Sequence, residues 1–171
     1  MQYISTRGGA EPLGFCDATL AGLAPDGGLF VPAQYPRFET VTDRLRGRPF
    51  EEVALSCLSP FAGGELDETA LSADINAAMA TFSHAARTPL VQIGPREFLL
   101  ELFHGPTLAF KDVAMQTLAR LMDRILASRG RRATIVTATS GDTGAAAVNA
   151  FKGRSAIDLF VLYPDGRVSD V

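Results

Sequence analysis

His104-Gly105-Pro106-Thr107-Leu108-Ala109-Phe110-Lys111-Asp112 lies between two segments of different period. Before it, the apolar run Glu97–Phe103 predicts a strand. After it, apolar residues at three- and four-residue steps predict a helix over Asp112–Ser128. Lys111 is therefore expected at a strand-to-helix crossover, where α/β proteins often hold reactive groups. Of the 16 lysines and arginines, only Lys111 and Lys152 are lysines. Lysine kept here in an arginine-rich chain fits a need for an amine that can lose its proton, which a guanidinium cannot do. A cation is disfavoured at the positive end of a helix dipole, and Phe110 beside it adds desolvation. Both effects favour the neutral amine, the form that attacks an aldehyde. The alternative is a solvated charge near a helix start, which is common for a single lysine.

The helix after Lys111 carries an apolar stripe of Leu118, Leu121, Met122, Ile125 and Leu126. Asp112, Gln116, Arg120 and Arg124 recur at steps of four and are expected on the opposite face. Gly130 ends this helix. A strand over Ala133–Ala138, a helix over Thr143–Phe151 and a strand over Asp158–Tyr163 follow. Strand, helix, strand, helix, strand predicts an α/β fold with a parallel sheet and right-handed crossovers. Upstream, Leu90–Ile93 and Phe98–Phe103 read as strands around a Gly94-Pro95 turn.

Thr139-Ser140-Gly141-Asp142-Thr143-Gly144 joins the next strand to the next helix, so it is expected on the same sheet edge as Lys111. Small residues admit a ligand close to the backbone. The free amides of a helix start favour an anion, and the hydroxyls of Ser140 and Thr143 add donors. An ordinary helix cap explains the same residues equally well. The loop lacks the Gly-Lys pair of a phosphate loop and the glycine spacing of a dinucleotide fingerprint.

Residues 1–83 read as a small, mainly helical domain with an irregular start. Tyr3-Ile4-Ser5 is a short strand, Phe15–Gly22 a helix, and Leu29-Phe30-Val31 a buried strand after the turn Pro25-Asp26-Gly27-Gly28. Pro49 starts a helix over Phe50–Leu58, and Gly63-Gly64 breaks the chain. Asp67–Phe82 is a helix with Leu71, Ile75, Ala78, Met79 and Phe82 on one face. His84 has no partner in view and is expected to be structural.

With 171 residues, 47% hydrophobic and 20% charged, the chain has the apolar content for a core. A net charge of −3 without a basic stripe argues against nucleic acid as a partner. Cys16 and Cys57 are too few and too far apart for a zinc site or a disulfide framework, and are expected to be reduced. No run has the length of a membrane span and the start has no signal-type apolar run, so a cytoplasmic protein is expected and no membrane partner.

His104–Asp112 resembles the cofactor-lysine segment of threonine synthases, pyridoxal-phosphate enzymes of the tryptophan-synthase-β fold group. Thr139–Ala146 resembles their substrate loop. Ser5-Thr6-Arg7-Gly8, Gly22-Leu23-Ala24-Pro25-Asp26-Gly27-Gly28-Leu29-Phe30-Val31-Pro32, Phe160-Val161-Leu162-Tyr163-Pro164 and Gly166-Arg167-Val168-Ser169 also resemble phrases of that family. The resemblance covers essentially the whole chain. It implies a domain over residues 1–83 and, over residues 84–171, the start of a parallel-sheet catalytic domain of pyridoxal-phosphate fold type II.

The implied reaction converts O-phospho-L-homoserine and water to L-threonine and phosphate. Lys111 would carry the cofactor and then move protons, with Phe110 and Asp142 beside the cofactor. Thr139, Ser140, Gly141 and Thr143 would hold the substrate. Asp142 is unexpected, because related enzymes outside the family often have Asn there, and an ionised Asp cannot donate a hydrogen bond. Family members are more than twice this long. The resemblance therefore implies an N-terminal fragment, inactive alone, whose partner is the missing C-terminal half with the glycine-rich loop for the cofactor phosphate and the residue facing the pyridine nitrogen. The alternatives are another fold type II pyridoxal lyase, a non-catalytic threonine-synthase-like binding protein, and a nucleotide-binding α/β module.

Overall fold

A computed structural model of the chain describes residues 1–38 and 41–167. Val168 and Ser169 of the last family-like phrase lie outside the described residues. The chain forms two compact units, Met1–Ile75 and Asn76–Val171.

In the first unit, β1 (Tyr3–Ser5) pairs antiparallel with β2 (Phe30–Pro32), with Ile4 opposite Val31. Three helices follow the chain order: α1 (Phe15–Ala21), α2 (Val41–Leu45) and α3 (Phe50–Ala62). The sequence predicts the end of α3 at Leu58, yet the helix runs on through Pro60. Proline there sits in the last turn, so its missing N–H removes only one terminal bond. Gly63 ends the helix in the left-handed conformation, φ 61°, and donates its N–H to Ser59 O. Tyr3 donates its hydroxyl to Phe61 O at 2.8 Å, tying β1 to the end of α3. Burial first, and the Glu65 charge second, push the Tyr3 phenol above its ordinary range.

Helix α4 (Glu68–Met79) spans the division between the units. Its predicted face is buried: Leu71, Ile75, Ala78 and Met79, with Phe82 just beyond. Each large apolar side chain so buried contributes roughly 1.5–3 kcal/mol.

The second unit opens with β3 (Leu90–Gly94) and β4 (Glu97–Leu100), an antiparallel hairpin with Leu90 opposite Leu100. Here the expectation of three parallel strands is corrected. The Gly94-Pro95-Arg96 turn closes β4 back on β3, and the strand stops at Leu100 rather than Phe103. The parallel sheet is the pair β5 (Ala133–Ala138) and β6 (Ile157–Leu162), with Ile135 beside Leu159 and Val136 beside Phe160. One sheet face is part-covered and the other leaves Val136, Phe160 and Leu162 open. Helix α5 (Asp112–Ser128) packs on α6 (Asp142–Phe151), which packs on β6.

Within α5, Leu121, Ile125 and Leu126 are buried as their spacing predicts, whereas Leu118 of the same stripe is exposed. The polar face differs from expectation. Asp112 is 0% exposed and Gln116 is 2% exposed. Each is buried with its hydrogen bonds made, Asp112 to Thr107 and Gln116 to Asn149. Satisfied polar groups can be buried at little cost, so periodicity alone misplaced this face.

Candidate active site

Two turns at the starts of α5 and α6 carry the candidate residues. The first, residues 104–111, is wound tightly ahead of α5. Thr107 donates its N–H to Asp112 Oδ2 and its hydroxyl to Asp112 Oδ1, both at 2.8 Å. Leu108 adopts φ 62°, a left-handed conformation that a leucine enters at a cost. Gly105 packs so close to Asp112 that an added Cβ would lie 2.5 Å from its carboxylate. The base of the turn is held by Ser83, whose N–H donates to His104 O at 2.9 Å. His104 Nε2 meets Glu101 Oε2 at 2.7 Å, and the His84 ring lies 4.9 Å from the His104 ring. His84 Nδ1 accepts the Ala86 N–H at 3.1 Å, a structural engagement.

Lys111 directly precedes α5, and its carbonyl accepts the Met115 N–H. Its side chain is half-buried, with Nζ 4.3 Å from the centre of the exposed Phe110 ring. The face of that ring attracts an ammonium group.

The second turn, Thr139–Gly141, leaves β5 and enters α6. The Thr139 hydroxyl accepts the Gly144 N–H at 3.2 Å and the Gly141 N–H at 3.3 Å. The Thr139 side chain thus caps this turn. A Cβ on Gly144 would collide with the Thr139 methyl group. Ser140, Gly141 and Asp142 are exposed, and open space lies over Gly141.

A pocket of about 340 Å³ joins the two turns. Thr107 lines it from the first and Thr139, Ser140, Gly141 and Asp142 from the second, with Val161 and Tyr163 at the end of β6. These groups meet at the carboxyl edge of the parallel pair, as expected for an α/β sheet. Lys111, Phe110 and Thr143 are not among the lining residues. Thr107, Asp112 and Tyr163 had no role assigned from sequence. The first two stand within the quoted Lys111 stretch, and their mutual hydrogen bonding has no signal in residue type.

Residues 2–79 match the family model described as "Threonine synthase N terminus". Threonine synthase of Pseudomonas aeruginosa is 47% identical over 173 aligned positions, which cover 100% of this chain. The chain matches the N-terminal portion of threonine synthases. It spans 37% of the length of that Pseudomonas relative. The crystal structure of pyridoxal-phosphate-bound threonine synthase from Brucella melitensis is 60% identical with a TM-score of 0.96, covering 99% of this chain and 37% of that one. Yeast threonine synthase gives 37% identity and a TM-score of 0.91, with 98% and 36% covered. Both threonine synthase structures thus share the fold described above.

Proposed function

We propose that this chain supplies the Lys111 portion of a threonine synthase, which converts O-phospho-L-homoserine and water to L-threonine and phosphate. The observation that carries the reading is 60% identity across 99% of the chain to a threonine synthase whose structure is described as pyridoxal-phosphate bound. Residues 1–83 form its N-terminal domain and residues 84–171 the start of its catalytic domain. The rest of the length found in its relatives would complete the grip on cofactor and substrate. We assign the protein to the cytoplasm. Among the described residues, no helix is long and apolar enough to cross a membrane.

The donor set fits pyridoxal phosphate. Lys111 offers a primary amine for an aldehyde, and the turn after β5 offers hydroxyls and exposed backbone for an anionic group. When bound, the cofactor supplies an electron sink for carbanion chemistry. Lys111 would bind its carbonyl carbon and, once freed, move protons at the substrate Cα and Cβ. Phe110, with its ring centre 4.3 Å from the Lys111 amine, would stand beside the cofactor. Ser140, Gly141 and Thr143 would orient the substrate carboxylate, while Thr139 shapes the turn that presents them. Asp142 would stand beside the cofactor.

The test is reductive trapping with limiting pyridoxal phosphate and borohydride, followed by peptide mapping. Lys111 and Lys152 are the only side-chain amines, so Lys152 and the α-amine are internal controls. Selective labelling of Lys111, and phosphate release from O-phospho-L-homoserine by the full-length gene product, are expected. The Lys111→Ala variant is expected to lose both. An alanine variant that still turns over substrate would sink the assignment.

A further inference from the structure

The fully buried Asp112 carboxylate is the most committed polar group near the proposed site. Both of its oxygens take hydrogen bonds from one residue, Thr107. Thr107 in turn lines the pocket opposite the Thr139–Asp142 turn. Between them the chain passes through the left-handed Leu108, and Gly105 closes against the carboxylate from the other side. The residue immediately before Asp112 is the amine-bearing Lys111, directly ahead of α5.

The Thr107 hydroxyl has one proton, and it points to Asp112. Its remaining capacity is as an acceptor only. An acceptor there suits a donor from the pocket, such as water or an ammonium group. Lys111 is held by the same carboxylate, because Asp112 anchors the turn whose end is Lys111.

We propose that Asp112 is a positioning residue: through Thr107 it fixes an acceptor in the pocket wall and locks the turn that presents Lys111. This rests on the pyridoxal-phosphate reading above. Asp112→Asn is the sharpest probe. Thr107 presents two donors, whereas the asparagine side chain offers one acceptor and one NH2 group. One Thr107 donor must then face an NH2 group, so either the amide bond is lost or the hydroxyl turns its proton into the pocket.

The experiment has two readouts on the full-length gene product. Hydrogen exchange of the peptide covering residues 105–111 reads the turn without any cofactor. The ratio of Lys111 to Lys152 labelling by pyridoxal phosphate and borohydride reads presentation of the amine, and a loss of global stability alone leaves it unmoved among folded molecules. Asp112→Asn is expected to speed exchange of the turn and to lower the ratio about tenfold, the size of one lost hydrogen bond to a charged group. Thr107→Val is expected to lower it severalfold, and the double variant to fall no further than Asp112→Asn, since the two act through one contact. Wild-type exchange and a wild-type ratio in Asp112→Asn would overturn the proposal. Should that variant not fold, Thr107→Val decides, and an unchanged ratio there overturns it. Wild-type protein that labels all amines equally refutes the pyridoxal-phosphate reading instead. In that case exchange of the turn alone judges Asp112, and no change in Asp112→Asn overturns its role.

Discussion

Gln116 donates from Nε2 to Asn149 Oδ1 at 2.8 Å and so bolts α5 to α6. Arg120 fixes the orientation of that amide. Its Nη1 donates to Gln116 Oε1 at 3.3 Å and to Gln116 O at 3.1 Å. A guanidinium can only donate, so the carbonyl end of the amide must face it and the NH2 end must face Asn149. Gln116→Leu keeps the volume and removes both bonds. It is expected to lower stability by about 1 kcal/mol, a net hydrogen bond lost from a buried position. Denaturant unfolding checks this, and a midpoint equal to wild type would show that the bolt contributes nothing.

Helix α1 is capped from 50 residues away. Phe15 and Cys16 donate their backbone N–H groups to Glu65 Oε1 and Oε2 at 2.8 and 3.1 Å. Gly14, at the N-cap position, has no side chain to serve. A carboxylate suits the positive end of the helix as well as its free amides. Glu65→Ala is expected to cost about 1–2 kcal/mol and to lower the thermal midpoint by several degrees. Gly14→Ala would drive a Cβ into the same carboxylate and should add little to the loss in Glu65→Ala. Additive losses would mean that the two residues act separately.

Acid should act on the turn around Asp26. Hydrogen bonds from the Ser5 hydroxyl and from the Gly28 and Gly9 amides hold its carboxyl below the ordinary aspartate range. A group depressed in the folded state stabilises that state above its unfolded pKa. The contribution fades as pH falls from the ordinary aspartate range through the lowered folded value. Asp26→Asn should therefore be less stable than wild type at neutral pH, with the gap closing in acid. Unfolding midpoints measured from neutral pH down into acid test this, and a constant gap would count against it.

Asp142 opens α6 with an exposed side chain. Asp142→Asn alters the charge while leaving the Thr139 cap of the turn untouched. Pyridoxal-phosphate labelling of Lys111 is expected to survive this change within about twofold, well under the effect of one lost hydrogen bond. Complete loss of labelling would make the Asp142 carboxylate itself essential to holding the cofactor.

The bounds of helix α5 and strand β5 were legible from sequence to the residue, because each is closed off by a glycine or a polar turn. Helix α4 and its buried face were legible for the same reason. The candidate loops were legible because small residues between a strand and a helix are local features. The hairpin was half visible: the turn at Gly94-Pro95 was evident, but the pairing of β4 with β3 in place of β5 was not.

Sequence by itself therefore determined most of the elements and their order, though not the short α2, together with the family-like motifs and the position of Lys111 directly ahead of α5. Those depend on residue type and on spacing within a few positions. Tertiary structure decided which polar groups of α5 are buried, that Glu65 caps α1, that Thr139 supports its own turn, and that Thr107 reaches the pocket. Partners such as Gln116 and Asn149 lie 33 residues apart, and no local pattern encodes their meeting. Even the short Thr107–Asp112 contact depends on a left-handed Leu108, a conformation that leucine does not announce and that surrounding contacts must hold in place.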